Sequence, residues 1–514
     1  MTDRDLPNVL DRAIAWLAPA TGARRARDRI ILAYYEAATP TRLRKGRTAP
    51  GTGNLAVERA GRSLREQARY FEQNYDLARG ILAELVGKTV GPMGIMPEPQ
   101  PRTADGEIHD EFASELLELH NDFAKRPEVT WQHDLPAMQR LQARSWFRDG
   151  EVFSQMVSGF IPTLDHGSIV PFSIEMIECD LVPLEYQGTG IAQGIETNAW
   201  GRPRAYWTLL QPPGDILFAG ASILPSQVKR IPAERMLHAK MVDRIRQLRG
   251  VSMFATVLGR LDDLKDYEES ERIAAKVAAS MAAYIKKGLP DDYAPVTNDN
   301  ADAGDGSPEG MRDMKFRPGM IFDDLRVGEE IGTIDTKRPN ANLLPYRQGQ
   351  LRGAASGTNT QYSSIAKSYD GTYSAQRQEL VEAWSSYAIL QSEFINAIVR
   401  PTYEQFVAVA VASGKIKVPR EVVPASVDDA IYIGPQMPWI DPESEMNAMT
   451  AGEGAGYISA PEIIRRRGGS PRDVLIQEAR WRRQCKDKEL VFTPQQVSAA
   501  NQNSQAALQR KAGT

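Results

Sequence analysis

From Val251 to Lys287 the chain carries no proline and a single glycine, Gly259, and its apolar residues Phe254, Leu258, Leu261, Leu264, Tyr267, Ala274, Val277, Met281 and Ile285 recur every three or four positions. That spacing lays them on one helical face. A helix over 251–287 would be roughly 55 Å long, several times the usual globular helix of about 11–12 residues. Its composition is split: Asp262, Asp263, Asp266, Glu268, Glu269 and Glu271 crowd the middle, whereas Ala274, Ala275, Ala278, Ala279, Ala282 and Ala283 fill the end. Small side chains let a neighbouring helix approach closely.

The rest of the composition describes an ordinary globular chain. At 514 residues, 25% charged and 42% hydrophobic, it is neither collagen, coiled-coil rod nor acidic tail, and its length suggests about three domains. Lys and Arg number 62 against 66 Asp and Glu, a net charge of −4, so the general basic footprint of a simple DNA-binding domain is missing. Cys179 and Cys485 are too few for a disulfide framework or a four-ligand zinc site, which fits a reducing compartment. No apolar run approaches the roughly 18–20 residues that span a bilayer. The stretch Ala13–Ala23 resembles a signal peptide's apolar region, but Asp3, Asp5 and Asp11 before it argue for an amphipathic helix.

Along the chain, 7–38 reads as a broken helix, 39–55 as a basic, Gly-bearing loop, and 61–87 as one amphipathic helix stopped by Gly91-Pro92. Helices are expected at 111–123 and 135–145, and strands at 151–157, 173–177, 194–197 and 205–210, the last two joined by a turn at 198–203. This block reads as α+β with a mostly antiparallel sheet. Residues 290–315 form an acidic insertion, closed by a strand-rich piece at 320–334. A short helix at 343–355, a polar loop at 357–372, a long helix from 374 to 400 stopped by Pro401, and a helix at 402–413 follow. Short helices near 461–466 and 470–487 precede a disordered Gln/Asn/Ser/Ala tail from Thr493.

Motifs for chemistry are weak. Gly87-Lys88-Thr89 lacks the earlier glycine of a phosphate-binding loop, and Gly452-Glu-Gly454-Ala-Gly456 lacks the preceding strand of a dinucleotide site; they read as a helix stop and a loop. Ser364-Ile-Ala-Lys367 and Ser226-Gln-Val-Lys229 both fit Ser-x-x-Lys without its companion motifs. His109, His120, His133, His166 and His238 show no metal-binding spacing. The basic runs Arg465–Arg467 and Arg480, Arg482, Arg483, Lys486, Lys488 suit nucleic acid or, more commonly, solvated helix faces and acidic partners.

Several segments, in order, resemble the portal proteins of tailed double-stranded DNA bacteriophages, lambda-type family: Arg62-Ser-Leu-Arg65 through Asn74-Tyr75 to Val86-Gly87; Trp146-Phe-Arg-Asp-Gly-Glu151-Val-Phe; Gly201-Arg-Pro203 with Tyr206; His238 through Arg244-Ile-Arg-Gln-Leu-Arg249-Gly-Val-Ser252; and Tyr369-Asp370, Tyr373-Ser374 and Arg377. The resemblance implies a mainly helical α+β portal fold with wing, stem, clip and crown, assembled as a ring, usually of twelve subunits, at one capsid vertex. By this analogy 1–50 is an N-terminal arm, 51–250 the wing, 251–287 the first stem helix and 288–338 the clip with its acidic insertion. Residues 339–373 would be the second stem helix and tunnel loop, 374–413 the long wing helix and the helix after it, 414–492 the crown and C-terminal region, and 493–514 the tail. It further implies no enzyme activity, cofactor or metal. The partners would be DNA in the channel, the terminase large subunit, major capsid and scaffolding proteins and a head–tail adaptor, without a membrane, in the virion and, during assembly, the host cytoplasm.

Elementary electrostatics fits that role. B-DNA carries a charge every roughly 1.7 Å, so a 55 Å helix along it meets on the order of 30 phosphates, and dense Lys/Arg contacts would arrest the duplex where acids let it slide. Asp262, Asp263, Asp266 and Glu269 are therefore channel candidates, with Lys286, Lys287 and Lys367 as weak DNA contacts. Pairing of these residues with charges on neighbouring subunits is the competing reading. Two other classes stay open: a multidomain enzyme whose site is assembled from scattered residues, and a structural scaffold unrelated to DNA.

Overall fold

The computed structural model describes residues 51–211, 223–279, 283–287, 329–333, 342–438 and 441–488, with isolated positions 16, 18 and 21; for 277–279, 283–287 and 329–333 it describes the backbone. The expectations for the N-terminal helix and arm up to residue 50 lie outside these residues apart from the three isolated positions, and those for the acidic insertion at 290–315 and for the tail lie wholly outside them. Two compact units divide the chain, Met1–Ala56 and Val57–Thr514; the description below concerns the second.

Helices α1 (Gly53–Asn74) and α2 (Asp76–Thr89) replace the single helix expected over 61–87. The break is Tyr75, extended at φ −140° because its ring turns into the core against Phe71. Strand β1 (Met96–Pro99), helices α3 (Asp110–Lys125) and α4 (Leu135–Asp149), and strands β2 (Glu151–Ser158) and β3 (Phe172–Ile177) follow. Side chains accept hydrogen bonds from the first-turn amides of both helices, His109 from Phe112 and Asp134 from Ala137, which satisfies donors a helix start leaves open. At its other end α4 is closed by Gly150 in the left-handed region, where glycine is favoured.

Strands β4 (Ile191–Ala192), β5 (Ile195–Thr197), β6 (Pro203–Leu209) and β7 (Val228–Pro232) form an antiparallel meander, and β8 (Met236–Lys240) joins a second sheet in the order β3-β2-β8. The expected strands and the 198–203 turn are all present. Two cores result: a large one around Ile81, Leu85, Trp146, Phe172 and Phe406, and a smaller one beneath the meander around Phe153, Ile195 and Tyr206.

The long helix expected at 251–287 is shorter. Ser252 caps a 3-10 turn at Met253–Thr256, helix α5 runs from Leu258 to Ala279, and Ala283–Lys287 is strand β9, paired antiparallel with β10 (Glu329–Thr333). At 1.5 Å per residue α5 is about 33 Å long. Helical spacing of apolar residues persisted into 281–285, but Tyr284 and Ile285 are residue types that favour strands, and the antiparallel register sets Lys286 opposite Glu330 and Lys287 opposite Glu329. Lys286 and Lys287 thus belong to a strand, not to the end of a helix.

Helix α6 (Leu343–Thr358) runs beyond the expected 355, and the loop at 357–372 contains a short helix, α7 (Tyr362–Ala366). Helix α8 (Tyr373–Phe394) is not stopped by Pro401. A π turn at Ile395–Val399 carries the backbone into α9 (Arg400–Ala412), with Pro401 in its first turn. Widening the helix just before the proline avoids the clash that a regular turn would impose. Strand β11 (Ala430–Ile433) returns to pair with β1. Helices α10 (Pro442–Gly454), α11 (Ala460–Arg466) and α12 (Pro471–Asp487) each start at an Asp or Ser cap with proline in the first turn. Gly452 and Gly454, expected in a loop, therefore close a helix.

Candidate functional site

Helix α5 packs antiparallel against α6. Leu261 and Leu264 are buried with Leu351 and Ala354, Tyr267 meets Tyr346 edge to face with ring centroids 4.8 Å apart, and Arg260 donates to Gln350 at 2.8 Å. The approach is close enough that a Cβ on Gly357 would sit 2.5 Å from Val257. Glu268 lies on this inner side, held by Arg347 at 2.7 Å and by the Tyr75 hydroxyl, which donates at 3.2 Å. Glu271 is buried.

The other acids turn outward. At 100° per residue Asp262, Asp263, Asp266 and Glu269 fall within one arc of about 120°, and all four are exposed. Glu269 has Arg272 one turn on at 3.7 Å, and Asp266 lies beside Lys265, whose amine donates to Tyr70. Asp262 and Asp263 have no ion-pair partner among the described residues. One helix therefore sorts its acids: those that meet α6 or the core are paired or buried, and the remainder form an exposed anionic face.

Lys367 is exposed and sits at φ +52°, closing α7. Ser364 donates to Gln361, so this Ser-x-x-Lys pattern builds a turn. The structure gathers the four acids on one helix, whereas Lys367 closes α7 and Lys286 and Lys287 belong to β9. Lys88 lies 5.7 Å over the Trp384 ring, in keeping with a helix end instead of a phosphate loop. Among the described residues no group of three or more His, Cys, Asp or Glu is placed to hold a metal, and no helix is long and apolar enough to cross a membrane.

A second cluster was not anticipated. Glu151, fully buried at the start of β2, receives Arg249 Nε at 2.9 Å, the Gly250 amide at 2.9 Å, Arg65 and His238 Nε2 at 3.2 Å. Beside it Asp149 accepts from Arg69 at 2.9 Å and Arg148 at 2.7 Å, while Glu72 holds Arg144 and Arg148. Burial alone would raise the Glu151 carboxyl, but Arg249 and Arg65 hold it well below the usual carboxylate range. Burial pushes His238 down to about 4, with Lys240 and Arg249 adding to it against the pull of Glu151. The neutral ring donates from Nε2 to the carboxylate and accepts from the Tyr206 hydroxyl at Nδ1, since a carboxylate only accepts.

Two glycines make room for this arrangement. Gly150 sits at φ +86°, and a Cβ there would fall 2.2 Å from the Val251 carbonyl carbon; one on Gly250 would fall 2.0 Å from the Gly150 oxygen. The cluster thus fastens α1, α4, β2 and β8 to the segment that leads into α5. Its signal in the sequence was indirect: Arg65, the 146–152 segment, His238 and Arg249-Gly-Val-Ser252 are the stretches that carry the family resemblance.

The family model described as phage portal protein, lambda family, matches residues 39–391. The "Probable portal protein" of Halomonas phage phiHAP-1 is 23% identical over 473 residues, covering 89% of this chain and 88% of that protein. Among solved structures, a chain from the "Neck of empty GTA particle computed with C6 symmetry" is 13% identical, with 83% of this chain and 96% of that chain covered at a TM-score of 0.47. A chain from the "Neck of native GTA particle computed with C12 symmetry" is 13% identical, with 80% and 94% covered at a TM-score of 0.40; scores below 0.5 leave these as loose likenesses.

Proposed function

The chain belongs to the lambda family of phage portal proteins, and from that premise we propose how its residues serve a channel for double-stranded DNA. Copies of the chain, twelve by the family pattern, close into a ring at one capsid vertex. The α5–α6 pair forms the stem, the β9–β10 hairpin opens the clip, and the anionic face of α5 looks into the channel. Asp262, Asp263, Asp266 and Glu269 repel the phosphates so that the duplex slides; Lys367, near the start of the long helix, and Lys286 and Lys287, on the clip strand, touch it weakly. The terminase large subunit and later the head–tail adaptor dock at the clip, and major capsid and scaffolding proteins surround the wing in the assembling particle.

The observation that supports this most is the sorting of acids on α5. A helix stabilised only by its partner α6 has no need for four carboxylates on the opposite face, two of them without an ion-pair partner among the described residues, since like charges at neighbouring turns destabilise a helix slightly. A polyanion that must pass without being held accounts for them.

Negative-stain images of the purified protein should show rings with a central hole near twelvefold symmetry; a monodisperse monomer under assembly conditions would count against the reading. Charge reversal at Asp262 and Asp263 should leave rings intact and reduce DNA packaging. Disrupted rings with unimpaired packaging by those that do assemble would place these acids at subunit contacts instead. Deleting 291–313 should abolish motor docking and tail joining; survival of both would remove the insertion from the clip's docking surface.

A further inference from the structure

Between α3, α4, β1 and the π turn that leads into α9 lies a small internal cavity whose walls include His120, Gln142 and Tyr403. The space in it open to the centre of a water-sized sphere is about 10 Å³, of the order that one water molecule needs and too little for anything larger. Part of its polar wall is already matched within the protein. Gln139 exchanges two hydrogen bonds with the Ile95 backbone, at 2.7 and 3.0 Å, and the Thr402 hydroxyl donates to the Ile398 carbonyl at 2.6 Å.

His120, Gln142 and Tyr403 each keep one buried polar atom unmatched. Gln142 donates through Nε2 to the Ser154 hydroxyl at 2.8 Å, but its Oε1 has no partner among the described residues, and neither has His120 Nδ1 or the Tyr403 hydroxyl. None of the three residues is more than 3% exposed, and buried polar atoms left without a partner are rare and costly. Their hydrogen-bonding roles are complementary. The Gln142 oxygen only accepts. Burial pushes His120 down to about 4, so near neutral pH the ring is uncharged and, with its proton on Nε2, accepts at Nδ1. The Tyr403 hydroxyl has a proton to donate.

We infer that this cavity is a binding site for one ordered water, which donates to Gln142 Oε1 and to His120 Nδ1 and accepts from the Tyr403 hydroxyl. Three hydrogen bonds are the usual complement of a buried water. Through it α3 and α4 are tied to α9 just past the π turn, so that polar groups of three helices are satisfied at one point of the core. The site calls for neither ring assembly nor DNA, and it stands or falls separately from the channel reading.

The test is a structure of the full-length protein at a resolution that shows ordered solvent. A density peak is expected in the cavity at hydrogen-bond distance, roughly 2.5–3.2 Å, from all three atoms. A peak that touches only one of them, or none at all while other buried waters are visible, would overturn the assignment. Urea unfolding of Gln142→Met, Tyr403→Phe and the double variant supplies a second arm. The lost bond to Ser154 accompanies Gln142→Met in both backgrounds and cancels. With one shared water, whichever substitution comes first removes most of the shared bonding. The combined loss in the unfolding equilibrium constant should therefore fall short of the product of the single losses by about threefold or more. Agreement with that product to within about twofold would show that the two side chains share no ligand, which sinks the bridge.

Discussion

Glu151 and Asp262 carry the same charge under opposite conditions. Glu151 is fully buried and receives two arginines, a histidine and a backbone amide; Asp262 is exposed, with no ion-pair partner among the described residues. Inside the protein a carboxylate persists only when every lone pair is matched, because desolvation costs several kcal/mol per ion. On a helix face in water it costs almost nothing and contributes almost nothing to stability. The first cluster is therefore read as architecture, joining α1, α4, β2 and β8 to the entry of α5, and the second as a surface for something outside the chain.

The largest effect should come from breaking the buried set. Glu151→Ala leaves Arg65 and Arg249 buried without their anion and should cost about 3–5 kcal/mol, read as a fall in the midpoint of thermal or urea unfolding. A loss below about 1 kcal/mol would mean that water reaches the cluster and that Glu151 and Asp262 differ little in environment. Gly150→Ala comes next: the left-handed backbone and the 2.2 Å approach to Val251 should destabilise by about 2 kcal/mol or more, and unchanged stability would show that the 150 and 250 segments move apart freely.

Acid should act on the buried side before the exposed one. His238 and His120 are both lowered to about 4 by burial, below the ordinary value of about 6.5. The unfolded chain thus takes up protons as the pH falls below about 6.5 while the folded chain does not until about 4, so stability should decline across that window, with the Glu151 contribution lost as the pH falls still lower. His120 packs against Phe123, Tyr403 and Phe406, so His120→Phe should flatten the decline between pH 6.5 and 4; an unchanged slope would locate the titration elsewhere. The smallest effect on stability belongs to Asp262→Lys with Asp263→Lys, within about 0.5 kcal/mol by unfolding, even though DNA packaging should drop. A large stability loss from that pair would erase the contrast between the two clusters.

Much of the local architecture was legible in the residues. Helices at 135–145, 461–466 and 470–487 were expected where they stand, and the structure shows the local reason their starts are fixed: Asp134, Ser459 and Ser470 each accept from a first-turn amide, which needs only a side chain's own few neighbours. Strands β2, β3, β5 and β6 were visible for the same local reason. Strands β7 and β8 were not, since Val228–Lys240 is broken by Pro232 and a 3-10 turn and reads as strand only once β6 and β2 lie beside it. The overextended helix at 251–287 erred the same way: helical spacing and strand propensity overlap at 283–287, and the partner that decides between them, Glu329–Thr333, stands some forty residues further on.

For the candidate site, the sequence by itself determined that a proline-free helix rich in acid exists near residue 260, and that segments spread over most of the chain follow the portal pattern. Both are properties of order and composition along the chain. Only the tertiary structure decided which acids α6 and the core claim and which four remain outside, and only it brought Arg65, Glu151, His238 and Arg249 into contact. Ion pairing depends on distance in space and on exclusion of water, and neither is written in the spacing of residues along the chain.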